Sequence, residues 1–113
     1  MATIMGPGAR VVAVNVHLAA GPRERMKGLI GAPPLGPRDA LVLPRAPQVH
    51  SFGLRVAIDV AFCDVTGRVL HVIREMRPRR MSHWVRGTHH TIEMAAGALA
   101  TIGTGDVLEI RDL

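Results

Sequence analysis

VHSFGLRVAIDVAFCDVTGRVLHVIR, residues 49–74, is the stretch that decides the fold. From Val56 onward the chain alternates. Val56, Ile58, Val60 and Phe62 fall on one side, and Ala57, Asp59, Ala61 and Cys63 on the other. Strict alternation rich in β-branched residues reads as a strand. Asp64-Val65-Thr66-Gly67-Arg68 then reads as a hairpin turn. Aspartate suits the opening of a type I turn, and glycine suits the left-handed position that closes it. If Asp64 pairs with Arg68, Phe62 meets Leu70 and Val60 meets Val72 on an oily face. Ala61 then meets His71, and Asp59 meets Ile73, on the other. A one-residue slip would set Phe62 opposite Val69 and mix the two faces, so the turn chemistry carries the register.

Working outward, RVVAVNVHLA (10–19) alternates as a strand, and DALVLP (39–44) reads as a short buried one. Between them, Gly21 and Pro22 suit a helix start. Met26, Leu29 and Ile30 make an apolar stripe at helical spacing, and Gly31, Pro33 and Pro34 end it. The spacing therefore predicts a helix over 22–30. Residues 75–90 read as an irregular basic loop around Pro78, and Thr91–Met94 as a short strand. ALATIG (98–103) reads as a single helical turn, and VLEIRDL (107–113) as a last strand. The fold class expected is mainly β (α+β): a small antiparallel-rich β-barrel or half-barrel, one helix in the N-terminal half, and a short helical turn near the C-terminus. A single compact domain is expected over 10–113, with 1–9 a loose lead-in.

The chain has 113 residues, 48% hydrophobic and 20% charged, which excludes a disordered tail or a coiled coil. No apolar run approaches the roughly 18 residues a membrane-spanning helix needs. The first ten residues lack the pattern of a secretory signal. A single cysteine fits a reducing compartment, so a cytoplasmic location is expected. The net charge is +5, with Arg in 13 of 14 cationic positions. Against nucleic-acid binding stands the scarcity of aromatic residues: Phe52, Phe62 and Trp84 lie far apart in the chain, and there is no Tyr. Nucleic-acid binding is expected to be weak, and no metal or cofactor is expected. His83, His89 and His90 lack a completing carboxylate or thiol.

The order of motifs resembles domain-of-unknown-function family 192 over about Arg10 to Arg111. Gly28-Leu29-Ile30 matches the family's "GLM"-like helix end. His50-Ser51-Phe52-Gly53-Leu54-Arg55-Val56-Ala57-Ile58-Asp59 matches its central segment. Ile92, Glu93 and Gly97 match a later element, and Gly105-Asp106 a late Gly-Asp. Ser51 stands where the family has Thr, Leu54 where it has Met, and Ala57 where it has Pro. The resemblance implies a β-rich fold with one early helix and brings no established reaction.

These matches set the candidate site: His50, Ser51, Arg55, Asp59 and Glu93 as ligand-binding residues. Arg55 would hold an anionic group and His50 would donate a hydrogen bond. Asp59 sits in an otherwise apolar strand, where an uncompensated carboxylate costs several kcal/mol, so a structural role is expected for it. The expected function is a binding or accessory module for a small anionic ligand. Two alternatives stand beside it: a hydrolase-like enzyme using Asp59 with His50 or His71 as acid and base, and a basic nucleic-acid-associated protein. A reactive Cys63 would need a cationic neighbour such as Arg68, and the arginines of 74–86 form a possible anion-binding surface.

Overall fold

The computed structural model describes residues 2–19, 21 and 35–113. In chain order its strands are β1 (Thr3–Met5), β2 (Val11–Ala13), β3 (Asn15–Leu18), β4 (Asp39–Pro44), β5 (Ile58–Cys63), β6 (Val69–Met76), β7 (His90–Ala95) and β8 (Glu109–Arg111). They form two sheets. The smaller has order β2-β1-β8, and the larger β3-β4-β7-β5-β6. All pairs are antiparallel except β3 with β4, which run parallel from Asn15↔Asp39 to Leu18↔Val42.

The larger sheet is covered on both faces. On one, Ala40, Val42, Ala61, Ile92 and Met94 pack with Ile4 and Ala13 of the small sheet and with Leu99, Ile102 and Leu108. On the other, Val49 and Val85 pack with Ile58, Val60, Phe62 and Met76. Every residue of β5 is buried. Its alternation is therefore one of size: large side chains face one layer, and Asp59, Ala61 and Cys63 face the tighter one.

The hairpin forms, and its turn follows the residue chemistry. Asp64 N–H donates to Arg68 O (2.9 Å), and Gly67 N–H to Asp64 O (3.0 Å). Asp64 Oδ1 accepts from the N–H groups of Thr66 and Arg68 and from Thr66 Oγ1. Gly67 takes φ +86°. Next to the turn Cys63 faces Val69, but the register then shifts. Phe62 lies opposite His71, Ala61 opposite Val72 and Val60 opposite Ile73, one residue away from the expected pairing. A second shift leaves Arg74 and Glu75 opposite Asp59, with Glu75 at φ +52°. Both irregularities add a residue to β6, as β-bulges do.

The expected barrel or half-barrel is corrected. Among the described residues there are two separate sheets and no α-helix, and the one helical piece is a 3-10 turn, Pro7–Ala9. The helix read over 22–30 lies outside the described residues. The C-terminal helical turn is replaced by successive turns, with Ala98 N–H bonded to Ala95 O, Ala100 to Gly97 O and Ile102 to Leu99 O. Gly97, at φ +93°, leads the chain from β7 into these turns in a backbone conformation that glycine adopts without strain. The strand read over 10–19 is divided at Val14, so that β2 serves the small sheet and β3 the large one. The segment read as a lead-in carries β1, the middle strand of the small sheet, with Ile4 fully buried.

Gly67 supplies a direct test. A Cβ there would lie 2.5 Å from Leu108 O, whose own N–H bonds Gly67 O. Gly67→Val combines that collision with positive φ and is expected to lose at least about 2 kcal/mol, read as a lower midpoint in urea unfolding. An unchanged midpoint would overturn this account of the turn.

Candidate functional site

Two loop segments cover one face of the large sheet, and Ser51 joins them. Ser51 is fully buried. Its Oγ donates to Arg77 O (2.6 Å) and accepts from Arg80 N–H (2.9 Å). Its N–H donates to Arg80 O (2.8 Å), and its carbonyl accepts from Arg79 N–H and Leu54 N–H. Ser82 repeats the device: its N–H donates to Val49 O and its Oγ accepts from Val49 N–H. His50 and Met81 form an isolated antiparallel bridge between these points. Val85 N–H closes on Pro47 O (2.7 Å). Residues 47–54 and 77–85 thus hold each other in a paired lid that has few side chains of its own in the core.

The charge of this lid is one-sided. Residues 44–58 and 76–92 contain Arg45, Arg55, Arg77, Arg79, Arg80 and Arg86 and no carboxylate. The remainder of the chain has eight cations against nine carboxylates. All six arginines are exposed. Among the described residues the ion pair is Arg111–Glu109, outside both segments. The same segments expose Phe52, Val56, Met81 and Trp84. The charge partition was present in the sequence. What the sequence did not show is that serine-centred hydrogen bonds bring the two segments together.

The expected site residues do not all meet. Arg55 is exposed, one residue beyond the Ser51–Leu54 turn. His50 is partly buried, its ring 5.8 Å from that of Phe52, and its buried Nδ1 lacks a hydrogen-bond partner. Asp59 is fully buried, and both its oxygens are occupied. Oδ1 accepts from Glu75 N–H (2.8 Å), and Oδ2 from Gly97 N–H (3.0 Å) and Leu99 N–H (2.9 Å). Asp59 pairs with Met94, whereas Glu93 pairs with Val60 and Leu41, so the two carboxyl groups lie on opposite faces of the sheet. Glu93 is 3% exposed and its Oε1 lacks a partner. Burial pushes its pKa up to about 7.

His71 stands beside Phe62, across the sheet from Asp59, and its ring makes an edge contact with His83 at 4.7 Å. Burial and the neighbouring His83 lower the His71 pKa. Cys63 is buried and unpaired. Burial first, then Asp64, pushes its thiol up to about 12, the reverse of what a reactive thiolate needs. His89 and His90 bring their Nδ1 atoms to 2.9 Å, and the second ring's Nε2 is buried without a partner. Among the described residues, no group of three or more His, Cys, Asp or Glu could hold a metal ion. No helix among them is long and apolar enough to cross a membrane.

A β-rich fold carrying this central segment defines a class before it defines an activity. The chain belongs to domain-of-unknown-function family 192, described as "Uncharacterized ACR", whose model matches residues 3–110. A solved protein of unknown function from Novosphingobium aromaticivorans is 23% identical, with TM-score 0.81, over 96% of this chain and 82% of that one. A Sinorhizobium meliloti structure, provisionally described as a transcription regulator, is 18% identical, also with TM-score 0.81, over 99% and 93% of the two chains. At these identities the likeness establishes the fold alone. None of the curated proteins matches the chain.

Two buried carboxyl groups give opposite expectations. Asp59→Asn exchanges one acceptor oxygen for a donor facing backbone N–H groups. It should cost roughly 2–4 kcal/mol in urea unfolding, and an unchanged midpoint would remove Asp59 from its structural role. For Glu93, the folded pKa of about 7 lies above the usual 4.5. Its contribution to stability is therefore complete below pH 4.5 and is lost as pH rises through 7. At about 1.4 kcal/mol per unit the loss is roughly 3 kcal/mol. Glu93→Gln should flatten the stability profile across this window and leave the variant more stable than the parent at about pH 8; parallel profiles would contradict it.

Proposed function

We propose that this protein is a binding or accessory module that accepts an anionic ligand on the arginine face of residues 44–58 and 76–92. The observation that carries the reading is the confinement of the chain's positive excess to two hydrogen-bonded segments without a carboxylate. Guanidinium groups suit such a ligand because they stay charged and offer paired donors to phosphate or carboxylate oxygens. Arg55 is the first contact, with Arg77 and Arg80 exposed on the segment that Ser51 bonds to its own. His50 is on the same segment, partly buried, with its unpartnered Nδ1 turned away from solvent. Ser51 positions the backbone that carries these groups. Asp59, with three backbone donors on its oxygens, supports a binding module more readily than an acid–base pair with His50 or His71. We infer a cytoplasmic location from the free, buried Cys63.

Tripolyphosphate tests the reading by isothermal titration at low ionic strength. Binding is expected, and Arg55→Ala with Arg80→Ala should weaken it at least tenfold while the melting temperature stays within about 2 °C of the parent, as for exposed side chains. Absence of binding, or equal binding by the double variant, would overturn the proposal.

A further inference from the structure

We propose that the ligand of this face is single-stranded nucleic acid, its phosphates held by the arginines and its bases stacked on Phe52 and Trp84. The inference rests on the anion-binding reading above and adds the ligand's second chemistry. The chain has three aromatic side chains apart from histidine. Phe62 is in the core, and the other two both stand on the arginine-rich lid, Phe52 48% and Trp84 66% exposed. Inorganic phosphate has no use for these rings. A strand that alternates charge with flat apolar surface matches both features at once.

The local structure supports a platform. Ser51 O accepts Leu54 N–H in a tight turn, with Gly53 at φ +89°, and this turn holds Phe52 outward. The His50 ring lies 5.8 Å from the Phe52 ring at 34°, backing it from one side. On the other segment, Trp84 lies between His83 and the buried Val85, whose N–H is fixed to Pro47 O. Exposed Met81 and Val56 add apolar surface on the same two segments. Guanidinium planes stack on bases as well as binding phosphates. A duplex offers the phosphates but hides its base faces. An acidic peptide offers charge without flat rings.

The test uses fluorescein-labelled oligothymidylate of about 12 nucleotides, within the roughly 4–16 that such sites span. It is compared by anisotropy with an abasic strand of equal length, a duplex of equal length and an oligoglutamate peptide. The oligothymidylate should bind tightest and quench the emission of Trp84, the chain's single tryptophan. Its log affinity should fall against log salt with a slope of about −3 if four phosphates are neutralised. Trp84→Ala and Phe52→Ala should each weaken the oligothymidylate about tenfold and leave the abasic strand unchanged, with melting curves like the parent's.

Equal affinity for the abasic strand would overturn the inference and leave the anion-binding face standing. Tighter binding of the duplex or of oligoglutamate would overturn it in favour of that partner. Failure of every anion, tripolyphosphate included, would remove both readings together.

Discussion

Asp59 is taken out of water near the start of β5, and among the described residues no cation pairs with it. Its carboxylate is satisfied by three backbone N–H groups, one from β6 and two from the turns that follow β7. Neither source is available in a regular structure. The Glu75 N–H points inward because β6 carries an extra residue at that point. The Gly97 and Leu99 N–H groups are free because the 97–102 segment is a run of turns instead of a helix or strand. One buried acceptor thus accounts for a bulge on one side and an irregular loop on the other. Each would carry unmet donors without it.

The influence reaches the surface. Met76 follows the bulge and pairs with Ile58. The next residue, Arg77, gives its carbonyl to Ser51. Ser51 then gathers Arg79 and Arg80, and Ser82 closes the pairing with Val49. Arg77, Arg79 and Arg80 stand outward on backbone that Ser51 holds from beneath. Charge repulsion among them is tolerated because every guanidinium remains in water, where screening is strong.

Much of this was legible in local chemistry. Asp64 and Gly67 announced the turn, DALVLP matched β4 from end to end, and Asp59 announced that something must compensate it. What escaped was non-local. The bulges in β6 depend on Asp59 reaching a donor in another strand, and no periodicity within β6 records that demand. The split of 10–19 between two sheets depends on which partner each half meets, although the alternation runs unbroken across Val14. Phe52 and Trp84 looked scattered because they stand far apart in sequence, and the hydrogen bonds that unite their segments run mostly through backbone atoms. The Arg-rich stretch was visible from its composition. Its continuity with Arg55 was not.

The bulges in β6 have a consequence for how the molecule behaves at high concentration. β6 is an outermost strand of the five-stranded sheet, with a rim that could template another chain. Two register breaks, the left-handed Glu75 and the backbone bonds of Val69 to Gly105 and Asp106 interrupt that rim. A second molecule approaching in extended form finds only short lengths of regular spacing before the donors and acceptors fall out of step. The irregularity that serves a carboxylate inside the fold therefore also guards the chain against strand-by-strand aggregation.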